Sequence, residues 1–182
     1  MSSEVTAAWD VLAEELLLDA RRARITRERV RLQDGRIVDD YLQIHMGSSV
    51  VIAAQDREER FLIFRMYKHG PRRAGLGFPG GGVEPGEAPL AAAQRELLEE
   101  TGYRSSSWRS LGGYTVHSNQ GCGFVSFFMA LGAEPVAAPV EDDLERHELI
   151  LMTKHELAAA LRDEAFLSMG HVCMAGLTLS LG

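Results

Sequence analysis

One stretch limits this chain more than any other. In residues 69–103, HGPRRAGLGFPGGGVEPGEAPLAAAQRELLEETGY, a loop dense in glycine and proline runs straight into an acidic, amphipathic segment. Pro89 suits a first helical turn and Gly102 a stop, so residues 88–101 are predicted helical. At about 100° per residue, Glu100 lies about 40° to one side of Glu96 and Glu99 about 60° to the other. Leu90, Ala93 and Leu97 fall on an adjoining apolar arc. One side of the helix is therefore expected to pack on a sheet while its neighbour presents three carboxylates. Like charges at these spacings repel by about 0.2–0.5 kcal/mol per pair on an exposed helix. A divalent cation relieves that repulsion, and oxygen-only donors favour Mg²⁺, with Mn²⁺ as a substitute. An acidic helical face is usually just solvated, and a glycine run is usually a tight turn. Joined in one segment, they call for a more specific reading.

The rest of the chain supplies a scaffold. Its 182 residues suit one compact domain with a small appendage, and 46% apolar with 25% charged residues is ordinary globular composition. Residues 7–24 are predicted helical, because Trp9, Leu12, Leu16 and Leu17 fall near one face. Ile25–Leu32 and Arg36–His45 are predicted strands around the hairpin turn Asp34-Gly35. Further strands are expected at Ser49–Ala54, Arg60–Tyr67, Leu76–Phe78, Trp108–Val116 and Phe124–Ala130. An acidic loop, Glu141–Glu148, is expected to precede a helix over Lys154–Asp163, with a short helix in the last dozen residues. This order predicts a mixed α/β fold of packed layers.

The formal charge of −7 disfavours a nucleic-acid partner and makes any phosphorylated small molecule depend on a local cation. No apolar run approaches the roughly 18 residues of a membrane span, and the first residues do not read as a secretion signal. Cys122 and Cys173 are far apart and lack ligand spacing, so neither a disulfide framework nor a zinc site is expected. A reducing cytoplasm is the expected compartment.

The segment Gly81–Tyr103 resembles the Nudix box, G-x5-E-x7-R-E-U-x-E-E-x-G-U with U a bulky apolar residue. Gly81, Glu87, Arg95, Glu96, Glu99, Glu100 and Gly102 fill the fixed positions, and Leu97 and Tyr103 the bulky ones, Tyr103 being an atypical choice. The resemblance implies a Nudix fold, a mixed β-sheet core sandwiched between helices. Here an N-terminal helix and an antiparallel hairpin are expected to extend it. It also implies Glu96 and Glu100 as principal metal ligands, Glu99 as a further ligand, and the Gly80 carbonyl as a ligand from the loop. Glu87 and Arg95 would form a salt bridge fixing loop against helix. Gly81 would allow close approach, and Gly102 a positive-φ cap.

The likeness extends beyond the box. RVRLQDGRIVDDYLQIH, FLIFRMYKHG and GLGFPGGGVEPGE are similar to the ADP-ribose pyrophosphatase branch of that family, including Asp39-Asp40-Tyr41. That branch implies a homodimer formed through residues 1–45, with the hydrolase domain at 46–182. It places a phosphate-binding cation at the end of a strand, where this chain has Lys68. Arg65 is a second candidate, though strand alternation puts it on the opposite face. Either is otherwise a solvated rim charge. A general base is expected on the loop after the core strands, with Glu145 first and Glu148 second. The segment HSNQGCG departs from the branch: Ser118 stands where a proline is usual and Gly123 where an acid is usual. Trp9, Trp108 and Tyr41 are candidates for stacking on a base, though a lone aromatic is more often packing. The implied reaction is Mg²⁺-dependent hydrolysis of the diphosphate of ADP-ribose or another nucleotide sugar. Other NDP-sugars, nucleoside triphosphates and a non-catalytic ADP-ribose sensor remain alternatives.

Overall fold

A computed structural model describes residues 8–140 and 146–181. The chain divides into two compact units. One covers the chain up to Gly47 together with Thr115–Phe124, and the other comprises Ser48–Tyr114 and Val125–Gly182.

The first unit is a three-stranded antiparallel sheet of β1 (Asp10–Ala20), β2 (Ala23–Arg31) and β3 (Ile37–Met46), in that order. The hairpin turn between β2 and β3 contains Gly35, at φ 86°, the positive φ expected of an Asp-Gly turn. The helix expected over residues 7–24 is replaced by β1. Its Leu- and Glu-rich composition favours a helix only weakly. Pairing with β2 overrides it, helped by the cross-strand ion pairs Arg24–Glu14 (3.0 Å) and Arg27–Glu15 (2.5 Å). Register shifts between Val11 and Ala13 and between Leu16 and Leu18 break the alternation twice, so no clean period of two survives in the sequence. Residues 115–124 lie beside β3: the Ile44 amide donates to the Gln120 carbonyl at 2.8 Å, and the Tyr41 hydroxyl donates to the Asn119 carbonyl.

The second unit is a seven-stranded mixed sheet. Its main path runs β10 (His147–Met152), β5 (Phe61–Lys68), β4 (Ser49–Asp56), β9 (Phe124–Pro135), β7 (Tyr103–Arg104). Off that path, β6 (Arg73–Gly77) pairs with β5 and β8 (Ser107–Thr115) with β9. β4 and β9 are parallel, whereas β5 is antiparallel to its neighbours. Alternation sorts the side chains. Val50, Ile52, Ala54, Leu62, Phe128 and Ala130 face α1 (Pro89–Thr101), which contributes Ala92, Ala93 and Leu97. Ala53, Phe61, Ile63, Phe127 and Met129 face α2 (Lys154–Arg162) and α3 (Met169–Leu181), which contribute Leu157, Ala160, Met174 and Ala175. The sheet is thus sandwiched between helices, as expected.

The ends of α1 follow from its sequence. Pro89 occupies the first turn. Gly102 closes the helix in the left-handed region (φ 71°), its amide donating to the Leu98 carbonyl. A Cβ there would lie 2.1 Å from the Ala137 carbonyl oxygen, so close approach requires glycine as much as φ does. α2 starts with a capping box between Thr153 and Glu156. Two expectations need correcting. His147 and Glu148, read as loop, belong to β10, whose apolar residues are recruited by pairing with β5. The C-terminal helix, expected to be short, spans 13 residues. Among the described residues no helix is long and apolar enough to cross a membrane.

Candidate active site

The loop ahead of α1 runs along β4. The Val50 amide donates to the Gly81 carbonyl and the Ile52 amide to the Pro79 carbonyl, both at 2.9 Å. The Gly80 carbonyl, between them, is the one β4 does not use. Gly80 adopts φ 152°, and a Cβ on it would sit 2.2 Å from the Val50 carbonyl oxygen. A side chain at Gly81 would strike the Glu96 carboxylate, 2.3 Å away. The glycine run therefore lets a backbone lie flat between a strand and a carboxylate.

Arg95 ties loop and helix together. It grips Glu87 with two parallel bonds of 3.0 Å, reaches Glu96 at 2.8 Å and Glu99 at 3.1 Å, and donates to the Gly82 carbonyl at 2.9 Å. The hydrogen bonds to Glu87 come first among the causes that raise its pKa. The same bonds, with the Glu84 amide, hold the Glu87 carboxyl below the usual range. One guanidinium thus answers three carboxylates. The fourth acid, Glu100, accepts from the Gly80 amide at 2.8 Å.

In this arrangement no three His, Cys, Asp or Glu side chains converge as a metal cluster among the described residues. Glu96 and Glu99 are turned to Arg95, and Glu100 to Gly80. The donor chemistry still fits a hard dication. Glu96 and Glu100 lie one turn apart on one helix face, every candidate donor is oxygen, and Gly81 leaves room around the Glu96 carboxylate.

The other candidates separate by strand alternation. By alternation Lys68 shares one face of β5 with Leu62, Phe64 and Met66, whereas Arg65 lies on the opposite face. Arg65 instead pairs with Glu148 at 3.0 Å, directly across from it on β10. Glu145 lies outside the described residues. Trp9 and Tyr41 meet edge to face, centroids 5.5 Å apart, in the first unit. Trp108, in the second, lines a cavity of about 360 Å³ with Gln94, Arg104 and Ser105.

His171 carries no signal in the sequence. Its Nδ1 accepts the Phe78 amide at 3.1 Å, so the neutral ring carries its proton on Nε2. Burial, with Lys68 nearby, pushes its pKa down to about 4.

The second unit thus joins a mixed sheet between helices to a glycine loop clamped against an acidic helix. The chain belongs to the Nudix family: the NUDIX domain model matches residues 45–169. A Streptomyces rubellomurinus protein, "CMP-5'-(N-acetyl-N-hydroxy-3-aminopropyl)phosphonate hydrolase", is 28% identical over 96% of this chain and 84% of its own length. A Mycobacterium tuberculosis ADP-ribose pyrophosphatase is 28% identical over 72% of this chain and 63% of its own. The fold matches a solved ADP compounds hydrolase at a TM-score of 0.82 and 20% identity, covering 96% of this chain and 94% of that one.

The His171 pKa carries a stability prediction. The folded value, about 4, lies below the ordinary value of about 6.5, so between them the unfolded chain binds more protons. Stability should therefore fall as pH drops from about 6.5 to about 4. Urea midpoints measured across that range should show the decline in the wild type and a flatter profile in His171→Gln. Parallel profiles would contradict the assignment.

Proposed function

We propose that this Nudix hydrolase splits the diphosphate of ADP-ribose or a related nucleotide sugar, releasing a nucleoside monophosphate and a sugar phosphate. The observation that carries the reading is the joining of loop and helix. The Gly80 amide on Glu100 and Arg95 on the Gly82 carbonyl bring the loop backbone and the carboxylates of α1 to one place. Glu96, Glu99 and Glu100, with the Gly80 carbonyl, are the residues that would hold Mg²⁺, or Mn²⁺ in its place. A bound dication there would neutralise charge developing on the phosphate oxygens and acidify the attacking water.

The remaining steps fall to the chain's own groups. Water forms a bond to one phosphorus as the bridging P–O bond breaks, and its proton passes to a carboxylate, with Glu145 as the candidate base. Lys68 offers a point charge to the diphosphate. Arg65 has no part in this reading, because it sits on the other face of β5 and is engaged with Glu148. The substrate class draws support from the relatives, whose names specify a CMP phosphonate and ADP-ribose. Free Cys122 and Cys173 suit a reducing cytoplasm.

The working form is a homodimer. Every residue of β1 is exposed, including Val11, Leu16, Leu17 and Leu18. So much apolar surface on one strand suits a contact with a second copy. Sedimentation velocity should give a dimer, and charging Leu16 and Leu18 together should give monomers. A monomeric wild type at micromolar concentration would exclude this assembly.

Turnover tests the chemistry. A panel of ADP-ribose, GDP-mannose, UDP-hexoses, CMP-phosphonate conjugates and nucleoside triphosphates should show highest kcat/KM among the nucleotide sugars with Mg²⁺. Glu100→Gln should lower kcat on the order of 10²-fold or more, the scale of losing one electrostatic stabiliser. Preference for triphosphates would overturn the substrate class, and near-wild-type turnover by the variant would overturn the role of Glu100.

A further inference from the structure

The segment Phe78–Gly82 has an anchor outside the Nudix box. β4 holds its Pro79 and Gly81 carbonyls, Arg95 its Gly82 carbonyl, and Glu100 accepts from its Gly80 amide. Pro79 has no amide hydrogen. The donor immediately before Gly80 is therefore that of Phe78, and it is satisfied from the far end of the chain, by His171 Nδ1 at 3.1 Å.

Several features seat that ring. The strand leading into the loop is zipped to the segment leading into α3: the Leu76 amide donates to the Ala165 carbonyl at 2.8 Å, and the Leu167 amide to the Leu76 carbonyl at 3.1 Å. Arg73 adds a bond to the Phe166 carbonyl at 2.7 Å. One helical turn beyond Leu167, His171 comes up beside Phe78, with ring centroids 6.3 Å apart and planes 26° apart. Gly77 makes the space, because a Cβ there would lie 3.2 Å from His171 Nε2 and 2.6 Å from Met66 Cε. Phe78 itself is buried. An amide left unsatisfied in such a place costs enough to move the backbone in search of an acceptor. Any such movement passes through the stiff proline to Gly80.

We propose that His171 is a positioning residue of the hydrolase: by accepting the Phe78 amide, its imidazole sets where Gly80 meets Glu100, and so tunes metal capture and turnover. This rests on the proposed metal-dependent function, and it assigns a catalytic consequence to α3, which contributes no residue to the Nudix box.

The test uses the full chain with two substitutions. His171→Asn places an amide oxygen near the position of Nδ1, whereas His171→Leu fills similar space without an acceptor. Mn²⁺ affinity, read by electron paramagnetic resonance without substrate, should fall about 10- to 100-fold in the leucine variant, the range for groups that orient ligands from behind. Its kcat should fall in step while KM changes little, and the asparagine variant should recover most of both. If the leucine variant folds poorly, the asparagine variant is compared with His171→Gln, whose amide reaches the Nε2 position instead and should not rescue. Wild-type affinity and kcat in the leucine variant, or equal losses in all variants, would overturn the positioning role while leaving the hydrolase reading intact. A wild type that neither binds Mn²⁺ nor turns over any diphosphate would overturn both.

Discussion

The Arg95 guanidinium holds the functional part of this protein in shape. Its planar fork takes both oxygens of Glu87, and its other donors reach Glu96, Glu99 and the Gly82 carbonyl. Lysine has neither the geometry nor the number of donors for this. The hub lets an acidic helix edge exist beside a backbone loop without driving it away. It also leaves negative charge in excess: Arg95 carries one positive charge against three acids, and Glu100 stands a turn further on. Such an edge is suited to a small, hard cation, and through it to a diphosphate, on a chain whose overall charge of −7 would otherwise repel one.

The sheet makes this arrangement possible by supplying two different faces. α1 lies on Val50, Ile52 and Leu62, and the loop before it borrows amides from the same β4 that forms its floor. The opposite face is closed by α2 and α3. The approach to α3 doubles back along β6, which brings a C-terminal histidine against Phe78, two residues before the glycine run. Loop placement is thus determined from three directions: the strand beneath, the helix beside and the last helix behind. Backbone groups in a glycine-rich loop have little side-chain packing to fix them, so hydrogen bonds must carry that task.

Parts of this were legible in the sequence for physical reasons. α1 announced itself through Pro89, Gly102 and a three-to-four periodicity, all local signals. The β2–β3 turn was visible because Asp34-Gly35 can adopt positive φ cheaply. The pairing of Glu87 with Arg95 joins residues only eight apart, across one loop and two helical turns. What failed to show depends on distant partners. β1 reads as a helix because bulges near Leu12 and Leu17 erase its alternation, and only the register with β2 reveals it. β10 was hidden behind an acidic run until β5 claimed it. Arg65 and Lys68 look alike as basic residues on one strand, and alternation alone puts them on opposite faces, where Arg65 meets Glu148. His171 is 93 positions from Phe78, and nothing in HVCM signals an acceptor role.

For the site to work in this way, the carboxylates of α1 and the Gly80 carbonyl must share an ion. Anomalous diffraction from crystals grown with Mn²⁺ measures this directly. A peak within bonding distance of Glu96, Glu100 and the Gly80 oxygen, with Glu99 bound directly or through water, is the predicted result. Glu96 and Glu99 still turned to Arg95, with no anomalous peak beside them at millimolar Mn²⁺, would contradict it.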